Sequence, residues 1–177
     1  MTQRSTWKIG LTCLALAGFG PFVCNNSDVE KGRAELKAAN ASGALDAVKS
    51  VKDDAPEVHL LRGQAELAVA RQMKEAGKND EAGKKQLEEQ VKNTRTALDQ
   101  AYKLVAELDG DLQVRADDGD PDPDGEARVA DLRARIAFSQ GLLAMLEERW
   151  EDAMVEFARV LAGQPDDEDA RWNLELA

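Results

Sequence analysis

The chain has 177 residues and a net charge of −11, with 32% of residues charged and 5% aromatic. Ala, Leu, Glu, Lys and Arg dominate, which favours helix over sheet. A chain this acidic repels nucleic-acid phosphate and gains nothing from anionic lipid, so nucleic acid is not expected as a partner.

The N-terminus reads as an address. "MTQRSTWK" is a short basic stretch, and "IGLTCLALAGFGPFV" (9–23) is apolar but too short for a comfortable membrane span. Polar sequence follows at once after Cys24. The arrangement resembles a bacterial export signal, with Cys24 standing where a lipoprotein carries its modified cysteine. Val23 departs from the small residue usual before that cysteine. The segment 1–23 is therefore expected to be an export signal or an N-terminal anchor. The rest would be periplasmic or held at a membrane through a lipid on Cys24. The two cysteines are Cys13 and Cys24, and Cys13 lies inside the apolar run. A mature chain starting at Cys24 has no internal disulfide, and its stability must come from packing.

From Asp28 onward the chain alternates helix and short break. Helices are predicted near 28–40, 43–52, 56–76, 79–108, 126–147 and 150–162, with a seventh starting near 168. The breaks hold Gly, Pro, Asn or Asp, which halt or cap helices. No sustained alternation of β-branched residues predicts a strand. Within 79–108, Leu87, Val91, Thr94, Leu98, Ala101, Val105 and Leu108 follow a 3.5-residue repeat. Such a helix would be roughly 45 Å long. Its stripe could zip to another chain as a coiled coil. The short loop "GKND" instead favours antiparallel packing on Leu60, Leu61, Ala65 and Ala68 of the helix before it. The stretch 109–125, rich in Asp, Pro and Gly, is predicted to be an acidic linker. It would divide N-terminal hairpins (24–108) from a C-terminal unit (126–177).

One pattern recurs. From Gly141, Ala153 lies at +12, Phe157 at +16, Val160 at +19 and Pro165 at +24; from Gly32, Ala44, Val48, Val51 and Pro56 occupy the same offsets. Small residues at the first two places let two helices approach closely, the larger residue fills the groove, and proline ends the second helix. The spacing resembles the tetratricopeptide repeat, a helix–turn–helix unit of about 34 residues. The likeness is clearest over 134–167, where "ERWEDA" looks like the inter-helix turn, and "DARWNLELA" (169–177) resembles the opening of a further repeat. The 25–58 unit keeps the small residues and the proline but has Lys31 and Glu35 where the family carries large apolar residues. "AGKNDEA" (76–82) resembles a third inter-helix turn, with Ala82 in the small-residue place. The tail "GQPDDEDARWNLELA" is also similar to repeat proteins encoded beside von Willebrand-type domain proteins in bacterial aerotolerance (Bat-type) operons. The resemblance implies an all-α fold of antiparallel hairpins stacked as a short solenoid, with a groove of first helices that receives a peptide or helix of a partner protein. Arg135, Phe138, Leu142 and Trp172 occupy places that can face such a groove.

Chemistry is sparsely signalled. His59 is the single histidine and sits beside Leu60 and Leu61, where packing explains it. The serines lie in no nucleophile-elbow context, and no glycine-rich loop is arranged to cradle phosphate. No catalytic residues and no cofactor are predicted. In "DPDPDGEARVAD" (120–131), Asp120, Asp122, Asp124, Gly125 and Asp131 match places 1, 3, 5, 6 and 12 of a calcium loop. Pro121, Pro123 and Ala127 depart from it, and a capping linker is the plainer reading. The expected function is a non-catalytic adaptor in the cell envelope, monomeric alone. A calcium-responsive module and an oligomeric coiled coil remain as alternatives.

Overall fold

The computed structural model describes residues 27–52, 54–77 and 80–177. The apolar segment 9–23 and Cys24 lie outside the described residues. Those described form helices in chain order: α1 (Ser27–Lys37), α2 (Ala41–Lys49), α3 (Pro56–Glu75), α4 (Glu81–Asp117), α5 (Pro123–Leu146), α6 (Trp150–Gly163) and α7 (Glu168–Leu176), with no strand among them.

The helix starts follow from local chemistry. Asn40, Asp80, Asp122 and Asp167 each cap a helix, their side-chain oxygens accepting from the amides of Gly43, Gly83, Gly125 and Ala170 at 2.7–3.1 Å. Each cap satisfies an amide that has no partner inside the helix, a contribution of about 1 kcal/mol. Pro56 and Pro123 stand in the first turns of α3 and α5, where their missing N–H is not needed. Pro56 thus starts α3 and does not end α2, which has already stopped at Lys49. Pro165 lies in the turn after α6. Helices α1, α4 and α5 close with paired six-to-one and five-to-two backbone bonds around Ala39, Gly119 and Glu148, all at positive φ. Arg62 of α3 donates to the carbonyls of Val48 and Val51 at 3.5 and 3.4 Å, taking up acceptors at the end of α2.

Each helix packs on its neighbours in sequence, and α3 also touches α1 and α5. Pairings such as Gln90 with Glu66, Asp109 with Arg133 and Gly141 with Phe157 show that sequence neighbours run antiparallel. Three cores succeed one another. The first joins α1, α2 and the Val58–Leu61–Ala65 side of α3. The second joins the Leu60–Leu67 side of α3 to α4 and α5. The third lies among α5, α6 and α7. Helices α3 and α5 therefore each serve two cores, which is why their apolar residues do not form a single stripe.

The heptad of α4 is spent inside the chain. Leu98, Ala101 and Val105 pack with Leu60 and Leu67 of α3 and with Val129, Leu132 and Ile136 of α5. The predicted linker is corrected: α4 continues past Gly110 to Asp117, and only 118–122 separate it from α5. The asparates around Gly110 read as a break, but Leu112 extends the buried stripe and holds the helix in register. A Cβ on Gly125 would come within 2.6 Å of Leu112 Cδ2, so the start of α5 lies directly on the end of α4. Residues on both sides of the proposed boundary share one core.

Candidate binding cleft

The small residues at 32, 44, 141 and 153 are all buried, and the two glycines mark close approaches. A Cβ on Gly32 would sit 2.9 Å from Val48 Cγ1 and 3.3 Å from Leu61 Cδ2. One on Gly141 would sit 2.8 Å from both Cε1 and Cζ of Phe157. Phe157 is fully buried and meets Phe138 edge-on, with ring centroids 5.6 Å apart at 68°. In the middle hairpin the register is corrected by one residue: Gly83 is buried and Ala82 is exposed.

The first helices α3 and α5 run parallel, and the bonds between them form a polar seam. Arg128 Nε donates to Glu57 Oε1 at 2.6 Å, Gln64 Nε2 to Ser139 Oγ at 3.4 Å, and Lys74 Nζ to the Leu146 carbonyl at 2.7 Å. Arg135 stands beside this seam. It bonds Asp131 at 3.4 Å, and burial lowers its guanidinium pKa against the pull of that carboxylate. Phe138 and Leu142, on the same helix, are half-buried against the Phe157 core. Trp172 on α7 is in neither cluster of the third core and is 62% exposed. Of the four residues expected at a groove, three are thus engaged in packing around α5, and the tryptophan stands free of them.

The aspartates of 120–131 do not converge. Asp122 caps α5 and, with Asp120, takes the guanidinium of Arg115 at 3.1 and 2.9 Å. Asp124 and Asp131 ride on α5, the latter turned to Arg135. Among the described residues no group of three His, Cys, Asp or Glu side chains is placed to hold a metal ion. His59 Nε2 lies 2.7 Å from Asp54 Oδ1, a local contact at the head of α3.

A cleft of about 330 Å³ opens elsewhere, between α4 and α6 over α5. Leu98, Leu143 and Ala144 form its apolar floor, beside Gln140. Arg95, Asp99, Arg149, Asp152, Val155 and Glu156 form its walls and rim. Both guanidiniums are already engaged. Arg95 donates to Glu147 at 2.5 Å, and Arg149 donates to Glu147 at 2.8 Å and also to Asp152. The carboxylates, Glu147 first, raise the Arg149 pKa and hold its charge in place. Glu156 accepts from Arg159 at 2.7 Å, yet burial still pushes its carboxyl pKa upward. Asp99 has no hydrogen-bond or ion-pair partner among the described residues. The sequence reading missed this cleft. Its one signal was Val155, an apolar residue off the buried stripe of Ala153, Phe157 and Val160 and 57% exposed.

The fold and cleft define an all-helical protein of successive antiparallel helices. No family model matches the chain, and no curated protein or solved structure is significantly similar to it. No helix among the described residues is long and apolar enough to cross a membrane.

Proposed function

We propose that this chain is a non-catalytic interaction scaffold of the bacterial cell envelope, built of tetratricopeptide-like hairpins and exported through its N-terminal segment. The observation that carries the reading is the repeated close approach: Gly32 under Val48 beside Ala44, and Gly141 under Phe157 beside Ala153. A hairpin that seats its two helices this way presents its outer faces to the next hairpin. The two-sided use of α3 and α5 supports such stacking. An array of this kind is open along its sides, and its surface suits the recognition of another protein. Cys24 is the residue for a lipid tether in this reading.

Site-specific photo-crosslinking in cells tests it. A photoreactive residue at Trp172 or Val155, both exposed, should yield a discrete adduct with a partner protein. No adduct from either site, nor from a scan of the exposed faces of α4 to α7, would contradict the scaffold reading. For the envelope location, labelling with a palmitate analogue should mark the chain, and Cys24→Ser should abolish the label.

A further inference from the structure

The geometry points to the outer face of α7 as the seat of an amphipathic helix of a partner protein, lying on α7 as α6 lies on α5. This rests on the scaffold reading and names the face, the kind of occupant and one residue that it must carry.

The chain itself shows how such a face is covered. Displacing α5 by 34 residues sets Ile136 on Ala170 and Leu143 on Ala177. All four residues turn toward helices that precede them. The same displacement sets Ala137, Phe138, Gly141 and Leu142 on Arg171, Trp172, Glu175 and Leu176. On α5 those four places are where α6 rests. Phe157 seats over Gly141, meets Phe138 edge-on and shares a cluster with Leu142, while Val160 clusters with Ala137. On α7 all four places are exposed, Trp172 at 62% and Leu176 at 43%. No helix among the described residues lies over them. Trp172 and Leu176 stand one turn apart, so they form an apolar ridge along one side of the helix.

The residues that differ along this face define the occupant. Glu175 stands where α5 has Gly141, so a ring cannot press on the backbone as Phe157 does. Its carboxylate is exposed and has no ion-pair or hydrogen-bond partner among the described residues. A lysine in the place of Phe157 answers both features. Its stem would lie along Trp172 and Leu176 while its ammonium reaches Glu175. Small or aliphatic residues one turn to either side, as Ala153 and Val160 are in α6, would complete the contact. Arg171 is already held by the Pro165 carbonyl at 2.8 Å, which leaves no cation for an acidic helix. A second copy is a poor occupant. Helix α7 carries Glu168, Asp169 and Glu175 against that one arginine, so two such faces repel. Four side chains on nine residues also fall short of the roughly 800 Å² that each partner buries in a stable dimer. They suit a transient contact with one helix.

Fluorescence polarisation of the full chain with three labelled, stapled peptides tests the inference. Each copies the 14 residues of α6. One has lysine in the place of Phe157, one has glutamate there, and one is the lysine peptide scrambled. The lysine peptide should bind at least tenfold more tightly than either other. Trp172→Ala should weaken it about tenfold or more. Val155→Ala, at an exposed apolar place on α6, should leave affinity within twofold. Glu175→Lys should reverse the order of the lysine and glutamate peptides. Asp111→Lys makes the same charge change at an exposed place on α4 and should keep that order. Binding by none of the three peptides, an unchanged order in Glu175→Lys, or equal losses from Trp172→Ala and Val155→Ala would overturn the site. Light scattering should find a monomer. A dimer that Trp172→Ala dissolves would give the face to a second copy and overturn the inference. The crosslinking experiment separates this inference from the reading beneath it. Adducts at Val155 but not Trp172 overturn the α7 seat and leave the scaffold standing. Adducts nowhere overturn both.

Discussion

The first and third hairpins use the same device with different filling. In α1–α2 the glycine faces aliphatic methyls, Val48 from its own hairpin and Leu61 from α3. In α5–α6 it faces the ring of Phe157, which is itself wedged against Phe138. The spacing of small residues fixes how close two helices come; the residue opposite decides whether that contact can yield. Methyl groups shift by a few tenths of an ångström, whereas a ring held edge-on by another ring has nowhere to go. The C-terminal hairpin should therefore be the more sharply defined of the two, and the less tolerant of change.

The largest expected effect comes from removing the filling. Phe157→Ala should destabilise the chain by about 3–5 kcal/mol, and Val48→Ala by about 2 kcal/mol, read as shifts in urea midpoint. Similar losses at both sites would erase the distinction. Next is the glycine itself. Gly141→Ala should cost about 1–3 kcal/mol through overpacking. Gly32→Ala should cost less, about 1 kcal/mol, because the helix-propensity gain partly offsets the 2.9 Å approach to Val48 Cγ1. A smaller effect distinguishes the two hairpin turns. Ala39 and Glu148 both hold φ near +60° without being glycine. Ala39→Gly should stabilise by about 1 kcal/mol. Glu148→Gly should gain less in thermal melts, since it also loses the 3.1 Å contact with Lys74.

The smallest prediction concerns the join between hairpins. Glu66 on α3 accepts from Gln90 on α4, and burial raises its pKa above the usual carboxylate value. The folded state thus holds the proton more tightly than the unfolded one. Stability from this group is full below the ordinary glutamate range and is lost as pH rises through the folded pKa. Glu66→Gln should raise the melting temperature at neutral pH and leave it unchanged at pH 4 and below. A gain of the same size at both pH values would show that the effect is not one of ionisation.

Much of this fold was legible from local pattern. The α4 heptad and the twin glycine–alanine spacing are short-range signals; the structure buries the glycine–alanine set and the middle of the heptad, Thr94 to Val105, and leaves Leu87, Val91 and Leu108 half-buried. The end of α4 was not legible. Gly110 and its flanking aspartates carry the local marks of a break, and only the distant contact of Leu112 with α5 overrides them. The cleft was harder still, because Asp99, Gln140 and Val155 come from three helices and acquire meaning only when those helices are set side by side. Arg135, Phe138 and Leu142 share one helix, and the sequence showed their spacing but not that Phe138 and Leu142 would pack on the Phe157 core while Arg135 turned to Asp131 on its own helix.

The close approach of helices through tiny side chains is tested most directly by a double-mutant cycle on Gly141 and Phe157. In the Phe157→Leu background, the added methyl of Gly141→Ala should become neutral or stabilising, giving a coupling of about 1 kcal/mol or more. An equal cost of Gly141→Ala in both backgrounds would mean that the ring does not lie on that backbone, and the account of how these hairpins close would be wrong.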